Sequence, residues 1–325
     1  MGAGAVATIA VMLTGCAGPQ SAMDPAGRGA ERIADLFWWM AGGAVVVWAG
    51  VVVLAIYAIR ARHDFPQERR AKLLIIGGGA LIPTIVLGGL LIYGLALLPS
   101  LLAPAPPGSL RIAVTGEQWW WRVRYVPPEG QPVDLANEIR LPVGEPVEFE
   151  LDSPDVNHAF WIPALGGKMD MIPGRRTRLV LEPTRTGVFR GVCAEYCGTS
   201  HALMAFPVVV MEKAEFARWL EQQRRPAAEP FEALAVTGKA HFFSNGCSAC
   251  HTITGTEARG RVGPDLTHVG SRLSLGAGIM ANDPENFLRW LQQTNHVKPG
   301  VTMPHFGMLP STELRALAAY LESLQ

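Results

Sequence analysis

The stretch GVCAEYCGTSHALMAF, residues 191–206, places four soft or borderline metal donors on one short segment. Cys193 and Cys197 are separated by three residues, His201 follows after three more, and Met204 comes two residues later. Strand-like sequences, GVFRGV and FPVVVME, flank this segment, so we expect it to be a loop at one end of a β-rich domain. The donors therefore predict a metal site held by a rigid scaffold.

A fifth donor lies upstream, where His158 occurs in DVNHAFWIP and is expected to reach the same end of the domain. Three interpretations of the set compete. A Cys193–Cys197 disulfide suits an oxidising compartment but leaves the histidines and Met204 without a role. Zinc accepts two thiolates and two imidazoles, yet the spacing is not that of a zinc finger and zinc gains nothing from a thioether. Copper suits all three ligand types, and the second cysteine favours two copper ions bridged by both thiolates over a mononuclear site.

The residues around this loop alternate between apolar and polar with a period of two. In QWWWRVRY, Trp119, Trp121, Val123 and Tyr125 share one face of the expected strand. PVEFELDS and TRLVLEP read in the same way, with Pro and Gly between the segments. Several short strands over residues 105–222 predict an all-β sandwich or barrel.

Two long apolar runs, residues 36–59 and 73–98, precede this domain and contain no charged residue. At a rise of 1.5 Å per residue the second run extends about 39 Å, which is enough to cross a membrane core of about 30 Å. The connecting loop is rich in basic residues: Arg60, Arg62, Arg69, Arg70 and Lys72. Because positive loops stay in the cytoplasm, a two-helix transmembrane hairpin should place everything after residue 100 on the extracytoplasmic side.

The N-terminal residues 1–15 form a short apolar run that ends in Leu-Thr-Gly before Cys16. This pattern is typical of a lipoprotein signal peptide, although no basic residue precedes the run. We predict cleavage after residue 15 and lipidation of Cys16, with an N-terminal segment and the hairpin occupying residues 16–100. The alternative is an uncleaved apolar tail with an idle cysteine.

A second redox motif follows the polar segment EQQRRPAAEP, residues 221–230. Cys247, Cys250 and His251 form the Cys-x-x-Cys-His motif of covalent haem c attachment, in which the histidine is an axial ligand. The alternative is a thioredoxin-type motif, which requires a βαβ setting that this region lacks.

The remainder of the chain, residues 231–325, has helical patterns, including DPENFLRWLQQ and STELRALAAYLESL. This tail resembles a class I cytochrome c, which implies that a methionine in a loop before the last helix is the sixth iron ligand. Met303, in KPGVTMPHFG, is favoured over Met308, and Met280 is the third choice.

Composition supports this assignment and excludes one class of partner. The 325 residues are 49% hydrophobic and carry five cysteines, each of which has a role in the scheme above. The formal net charge is zero, which gives no basis for a general affinity for nucleic acid.

The pattern Cys-x-Glu-x-Cys-Gly-x-x-His-x-x-Met at residues 193–204 resembles the dinuclear copper (CuA) motif of cytochrome c oxidase subunit II. GEQWWW at 116–121, HAFWIP at 158–163 and KMDMIPGR at 168–175 resemble further motifs of that family. Together with the hairpin, the resemblance covers roughly residues 30 to 220. It implies a cupredoxin-like fold for the β domain.

The resemblance also implies a ligand set for the two copper ions. Cys193 and Cys197 bridge both ions, His158 and Met204 complete one, and His201 with the backbone carbonyl of Glu195 completes the other. By the same resemblance the Glu195 carboxylate helps to hold magnesium at the interface with subunit I, and Trp119 lines the electron entry surface. The family often carries a glutamate early in the second transmembrane helix, and this chain has none there, so no proton-path residue is carried over.

The C-terminal tail resembles a class I cytochrome c, with Pro264 in the place of the proline whose carbonyl accepts a hydrogen bond from the haem-ligating histidine. The expected fold is thus multidomain: a transmembrane hairpin, a cupredoxin-like sandwich and an all-α cytochrome c domain. The expected protein is the electron-entry subunit of a caa-type haem–copper oxidase in a bacterial cell membrane. Its expected partners are oxidase subunit I, other oxidase subunits and an upstream cytochrome c or cytochrome bc complex.

Two alternative functions keep the same local chemistry in part. One is the copper subunit of a nitric oxide reductase, which differs in its terminal acceptor. The other is a membrane-anchored copper-handling lipoprotein, which predicts labile copper and has no need for haem.

Overall fold

A computed structural model of the protein describes residues 17–60 and 68–325. The predicted signal peptide, the lipidation site Cys16 and part of the basic loop lie outside the described residues. Within them the predicted fold class is confirmed: apolar helices near the N-terminus are followed by a β-sandwich and then by a helical domain.

The apolar runs form helices that extend beyond the predicted spans. Helix α1 is Arg28–Arg60, the short α2 is Glu68–Lys72, and α3 is Ile82–Leu102, preceded by a π-helical segment Leu73–Leu81. Each of the two long helical segments, Arg28–Arg60 and Leu73–Leu102, contains an 18-residue window with a mean hydropathy of 2.3, which is long and apolar enough to cross a membrane. The Arg32 guanidinium donates a hydrogen bond to Ser100 Oγ over 2.9 Å, which links the start of α1 to the end of α3.

The sandwich consists of two five-stranded sheets in the described part of the chain, with strand orders β3-β2-β1-β5-β8 and β4-β10-β9-β6-β7. The strands are β1 Leu110–Glu117, β2 Trp120–Val126, β3 Val133–Ala136, β4 Ile139–Pro142, β5 Val147–Asp152, β6 His158–Trp161, β7 Met169–Met171, β8 Thr177–Leu181, β9 Gly187–Cys193 and β10 Ala205–Met211. A helix, α4 Lys213–Gln223, follows β10.

Aromatic side chains fill the space between the two sheets. The period-two pattern turns Trp121, Val123 and Tyr125 of β2 into the core, where all three are fully buried. Phe206 stacks on Phe160 and meets the edge of Trp121, with ring centroids 5.1 Å apart in each case. This packing fixes the ends of β6 and β10, which carry or adjoin the predicted metal donors.

The chain before α1 packs on the sandwich. The Ala26 amide donates to the Ala164 carbonyl over 2.7 Å, and the Arg28 amide donates to the Glu182 carbonyl over 3.0 Å. Gly27 lies so close to Leu165 that a Cβ at this position would stand 2.4 Å from the Leu165 carbonyl oxygen. The sequence grouped this segment with the membrane hairpin, because contacts made mainly by backbone atoms leave no pattern of side chains.

The C-terminal domain is built on three helices, α5 Ala233–Ser244, α6 Pro284–Val297 and α7 Ser311–Ser323, with a small hairpin of β11 Ser274–Leu275 and β12 Met280–Ala281. Asp283 caps α6 by accepting a hydrogen bond from the Asn286 amide over 2.8 Å. Helices α5 and α7 cross closely at Gly238, where a Cβ would lie 1.9 Å from the Ala316 carbonyl oxygen. The crossing therefore requires glycine at this position.

Candidate functional site

The five donor side chains predicted from the sequence come from adjacent strands of one sheet. His158 begins β6, Cys193 ends β9 and Met204 immediately precedes β10, while Cys197 and His201 lie on the connection between β9 and β10. Because β9 pairs with both β6 and β10, the three strand ends meet at one edge of the sandwich. The cluster is thus a consequence of strand order.

The donor atoms lie within a few ångströms of one another. The two cysteine Sγ atoms are 3.7 Å apart, His158 Nδ1 is 3.7 Å from Cys193 Sγ, and His201 Nδ1 is 3.5 Å from Cys197 Sγ. Met204 Sδ is 3.9 Å from Cys197 Sγ, and the Glu195 carbonyl oxygen is 3.2 Å from Cys193 Sγ. A disulfide bond is about 2.05 Å long, so both thiols are free.

Most donors of this copper site are buried, and contacts between them shift the pKa values of the two cysteines. His158 is fully buried, and Cys193, Cys197 and Met204 are nearly so. The contact between the two sulfurs lowers the pKa of Cys193, while the same contact and burial raise the pKa of Cys197, so the pair favours one thiolate and one thiol. A cation at this position would displace the thiol proton, since metals bind thiolates.

Asp155 orients His158. The His158 Nε2–H donates to Asp155 Oδ1 over 2.9 Å, which leaves Nδ1 free to face the sulfur atoms. Burial lowers the pKa of His158, but the hydrogen bonds to Cys193 and Asp155 outweigh this and raise it overall. The sequence analysis did not identify Asp155, although an acidic residue three positions before a ligating histidine is a detectable signal.

We expect Asp155→Asn to weaken copper binding by about 10- to 100-fold, the usual effect of losing a partner that orients a ligand. The measurement is copper retention by the purified protein in competition with a graded chelator. Asp134→Asn, an exposed residue of β3, is the matched control and should retain copper like the wild type. Equal retention in both variants would show that Asp155 does not support the site.

The backbone carbonyl of Cys197 accepts two further hydrogen bonds, which the sequence analysis did not predict. Gln118 Nε2 and Trp119 Nε1 both donate to the Cys197 carbonyl oxygen, over 2.7 and 2.9 Å. Trp119 is only 7% exposed, because the C-terminal domain covers the face of the sandwich on which it lies. Its ring contacts Gly300, where a Cβ would stand 2.8 Å from Trp119 Cη2.

The haem-binding residues predicted from the sequence line a single cavity of about 370 Å³ in the C-terminal domain. Cys247, Cys250 and His251 lie on one side of this cavity, and Met303 also borders it. His251 Nδ1–H donates to the Pro264 carbonyl over 2.7 Å, as expected, which leaves Nε2 available for iron. Gly263 leaves room for the His251 ring, because a Cβ at position 263 would stand 2.5 Å from His251 Cε1.

The cavity has the chemistry of a haem pocket. Its lining is largely apolar, and burial lowers the pKa of His251, which keeps the imidazole neutral as an iron ligand must be. Burial also raises the pKa of Cys247 to about 11. Of the three candidate methionines, Met303 borders the cavity, whereas Met308 is 69% exposed and neither it nor Met280 contributes to the lining.

Sandwich residues complete the wall of this cavity. Gln118, Trp119 and Trp120 all border it, so two residues that donate to the Cys197 carbonyl also face the haem-binding space. The two candidate sites therefore share the wall formed by residues 118–120. The Glu195 side chain, predicted to help hold magnesium, is exposed and does not line this cavity.

Comparisons with known proteins find relatives for both domains. Residues 128–213 match the family model described as cytochrome c oxidase subunit II, periplasmic domain, and residues 235–325 match that described as cytochrome c. Cytochrome c oxidase subunit 2 of Alkalihalophilus pseudofirmus is 34% identical over 333 residues, covering 98% of this chain and 95% of the relative. The Bacillus subtilis protein of the same name is 30% identical over 347 residues, covering 98% and 96%.

A solved structure is also similar over part of the chain. The crystal structure of the periplasmic domain of subunit II of cytochrome oxidase from Bradyrhizobium japonicum is 34% identical in sequence. It covers 37% of this chain and 97% of its own, with a TM-score of 0.35.

Proposed function

Because the chain belongs to the cytochrome c oxidase subunit 2 family, we propose that it is the electron-entry subunit of a caa-type oxidase, with its own haem c as the first acceptor. One observation carries the proposal. Trp119 donates to the carbonyl of the candidate copper ligand Cys197 and also borders the cavity that contains the haem-attachment motif.

The buried donor set fits a dinuclear copper centre. Cys193 and Cys197 would bridge the two ions, His158 and Met204 would complete one, and His201 with the Glu195 carbonyl would complete the other. Sulfur atoms 3.7 Å apart with an imidazole nitrogen beside each provide the thiolate and imidazole ligands of such a centre. When bound, the copper pair would accept and pass on one electron at a time.

The second site fits covalent haem c. Cys247 and Cys250 would form the thioether links, His251 would bind iron through Nε2, and Met303 would be the sixth ligand. The Pro264 carbonyl holds the His251 ring in the required tautomer. A methionine ligand suits a high-potential carrier, which a chain leading to oxygen requires.

The residues of the shared wall would carry electrons between the two sites. Gln118 and Trp119 are donors to the Cys197 carbonyl, so they connect the haem cavity to a copper ligand through two hydrogen bonds. At the copper site His158, Cys193, Cys197 and Met204 are buried and their donor atoms face one another, as suits a site that transfers electrons. The chain's own residues thus serve electron transfer, and reduction of O2 to water coupled to proton transport would occur in a partner subunit.

The assembly we propose follows from the family. The chain is a membrane-anchored protein with an extracytoplasmic domain and associates with other oxidase subunits. We further propose a bacterial cell membrane location, an interface with subunit I at which Glu195 helps to hold magnesium, and an upstream cytochrome c or cytochrome bc complex as donor. Trp119 would receive electrons from the fused haem.

The test is an absorption spectrum and metal analysis of the purified oxidase containing the full chain. We expect a c-type α band, the near-infrared absorption of a mixed-valence copper pair and two copper ions for each chain. Turnover with oxygen rather than nitric oxide is expected. A single metal ion, zinc, or copper lost to a mild chelator would refute the proposal, and turnover with nitric oxide alone would assign the chain to a nitric oxide reductase.

A further inference from the structure

Lys298 is a buried lysine at the junction of the two redox domains. Its side chain is 1% exposed, and it belongs to the same loop as Met303. Lysine is seldom fully buried, because removing an ammonium group from water is costly unless its N–H groups find acceptors. A buried lysine therefore calls for a partner.

The Lys298 Nζ group has one acceptor in each domain. It donates to the Leu203 carbonyl over 2.8 Å and to the Gly276 carbonyl over 2.7 Å. Leu203 ends the short 3-10 turn that begins at His201, and Met204 follows it. Lys298 thus binds the backbone between the candidate copper ligands His201 and Met204 and connects it to the cytochrome domain.

Neighbouring contacts strengthen the same junction. Ser200 Oγ donates to the Pro299 carbonyl over 2.6 Å, and the Ala205 amide donates to the Ala277 carbonyl over 3.0 Å. Residues 200–205 of the copper loop therefore lie between two cytochrome segments, 276–278 and 298–300. Among the side chains at this junction, Lys298 is ionisable, and its Nζ group donates to the Leu203 carbonyl of the sandwich and to the Gly276 carbonyl of the cytochrome domain.

Lys298 can donate a hydrogen bond to both carbonyls whether its amino group is protonated or neutral. Burial lowers the pKa of Lys298 to about 7, and both the ammonium and the amine form carry enough N–H groups for two carbonyls. An apolar side chain of similar length would fill the space but would leave both carbonyls without this donor. The two hydrogen bonds therefore indicate that Lys298 positions the segments on either side of it, in addition to filling the space between them.

We propose that Lys298 is a positioning residue for electron transfer within this chain. It holds the copper loop, which connects β9 to β10, and the haem loop, residues 298–310, in one arrangement. This inference rests on the function proposed above. While the Lys298 hydrogen bonds, here called the clamp, are in place, Met204 and Met303 lie on loops that move together, so the separation between the two centres stays constant. Without it, the loops separate more often and transfer slows.

The test is Lys298→Met in the purified oxidase with both centres loaded. We expect amide hydrogen exchange over residues 200–205 to accelerate about tenfold, because the junction loses both hydrogen bonds that the buried Lys298 Nζ group donates. We also expect transfer from haem c to copper, followed after rapid photoreduction of the haem, to slow. Copper content and covalent haem should remain those of the wild type, although Lys298 also borders the haem cavity.

Lys213→Met is the matched control, because Lys213 is 58% exposed and pairs with Glu145 on the surface of the sandwich. It should leave exchange and transfer unchanged. Unaltered exchange and transfer in Lys298→Met would overturn the proposal. So would a shifted haem potential with unaltered exchange, because this would assign Lys298 to the haem pocket alone.

Ser200→Ala provides a second route if Lys298→Met does not fold. It removes one hydrogen bond across the same junction and should accelerate exchange over 200–205 in the same direction by a smaller factor. No acceleration in Ser200→Ala would count against the clamp. Failure of the proposed function appears separately, as the absence of the haem or copper spectrum in the wild-type protein.

Discussion

Cys197→Ser is expected to abolish the dinuclear copper centre and to reduce electron delivery to oxygen to background, while the chain still folds and still carries haem c. The hydroxyl occupies nearly the same volume and can keep the contact with His201. It is a hard, weakly acidic donor, however, and cannot replace a thiolate that bridges two copper ions.

The reason for so large an effect is that no other described sulfur can take the place of Cys197. Cys193 lies 3.7 Å away and would be left as the only thiolate, which suffices for at most one copper ion. Met204 is a neutral thioether and contributes no charge.

Metal analysis and the near-infrared spectrum measure this outcome directly, and reduction of haem c by an artificial donor shows that the cytochrome domain is intact. Ala202→Ser on the same loop is the control, since Ala202 is exposed and supplies no donor. Two copper ions and an unchanged spectrum in Cys197→Ser would mean that the bridging assignment is wrong.

Met303→Ala is expected to produce the second largest effect, a fall in the haem c potential of about 0.1 V or more. Axial ligands set haem potentials over a range of about 0.8 V, and a thioether lies at the high end. For one electron about 59 mV corresponds to a tenfold change in equilibrium, so a fall of 0.1 V displaces the equilibrium by about 50-fold. The lower potential holds the electron less tightly, so the donor would reduce this haem less readily.

A redox titration followed at the α band gives the potential, and the covalent haem should remain, since Cys247, Cys250 and His251 are untouched. Met308→Ala is the matched control because Met308 is 69% exposed and lies outside the cavity lining. A fall in potential in Met308→Ala, with Met303→Ala unaffected, would reverse the ligand assignment.

The local chemistry was predictable because each motif is short. Cys193, Cys197, His201 and Met204 lie within twelve consecutive residues, and a single connection between two strands brings them together whatever the rest of the fold. Likewise the haem-attachment motif spans five residues, and the hydrophobic length of the membrane helices is a property of composition alone. The sandwich followed from the period-two pattern, which directs Trp121 and Tyr125 inward.

Partners that lie far away in the sequence were not predictable. Gln118 and Trp119 reach the Cys197 carbonyl across 79 and 78 residues of chain. The packing of the chain before α1 on the sandwich was likewise not predicted, since its contacts are made by backbone amides and carbonyls. Such groups are the same in every residue and carry no signature.

Residue types and short spacings were thus enough to predict a cluster of soft donors, a haem-attachment motif and a pair of apolar helices, because coordination and hydropathy depend on side-chain chemistry over a few residues. How the copper loop faces the haem loop depends on folding, because Lys298 finds its acceptors at positions 22 and 95 residues away in the chain. A carbonyl becomes a specific partner only when the packing of two domains brings it within hydrogen-bond distance and removes the water that would otherwise compete.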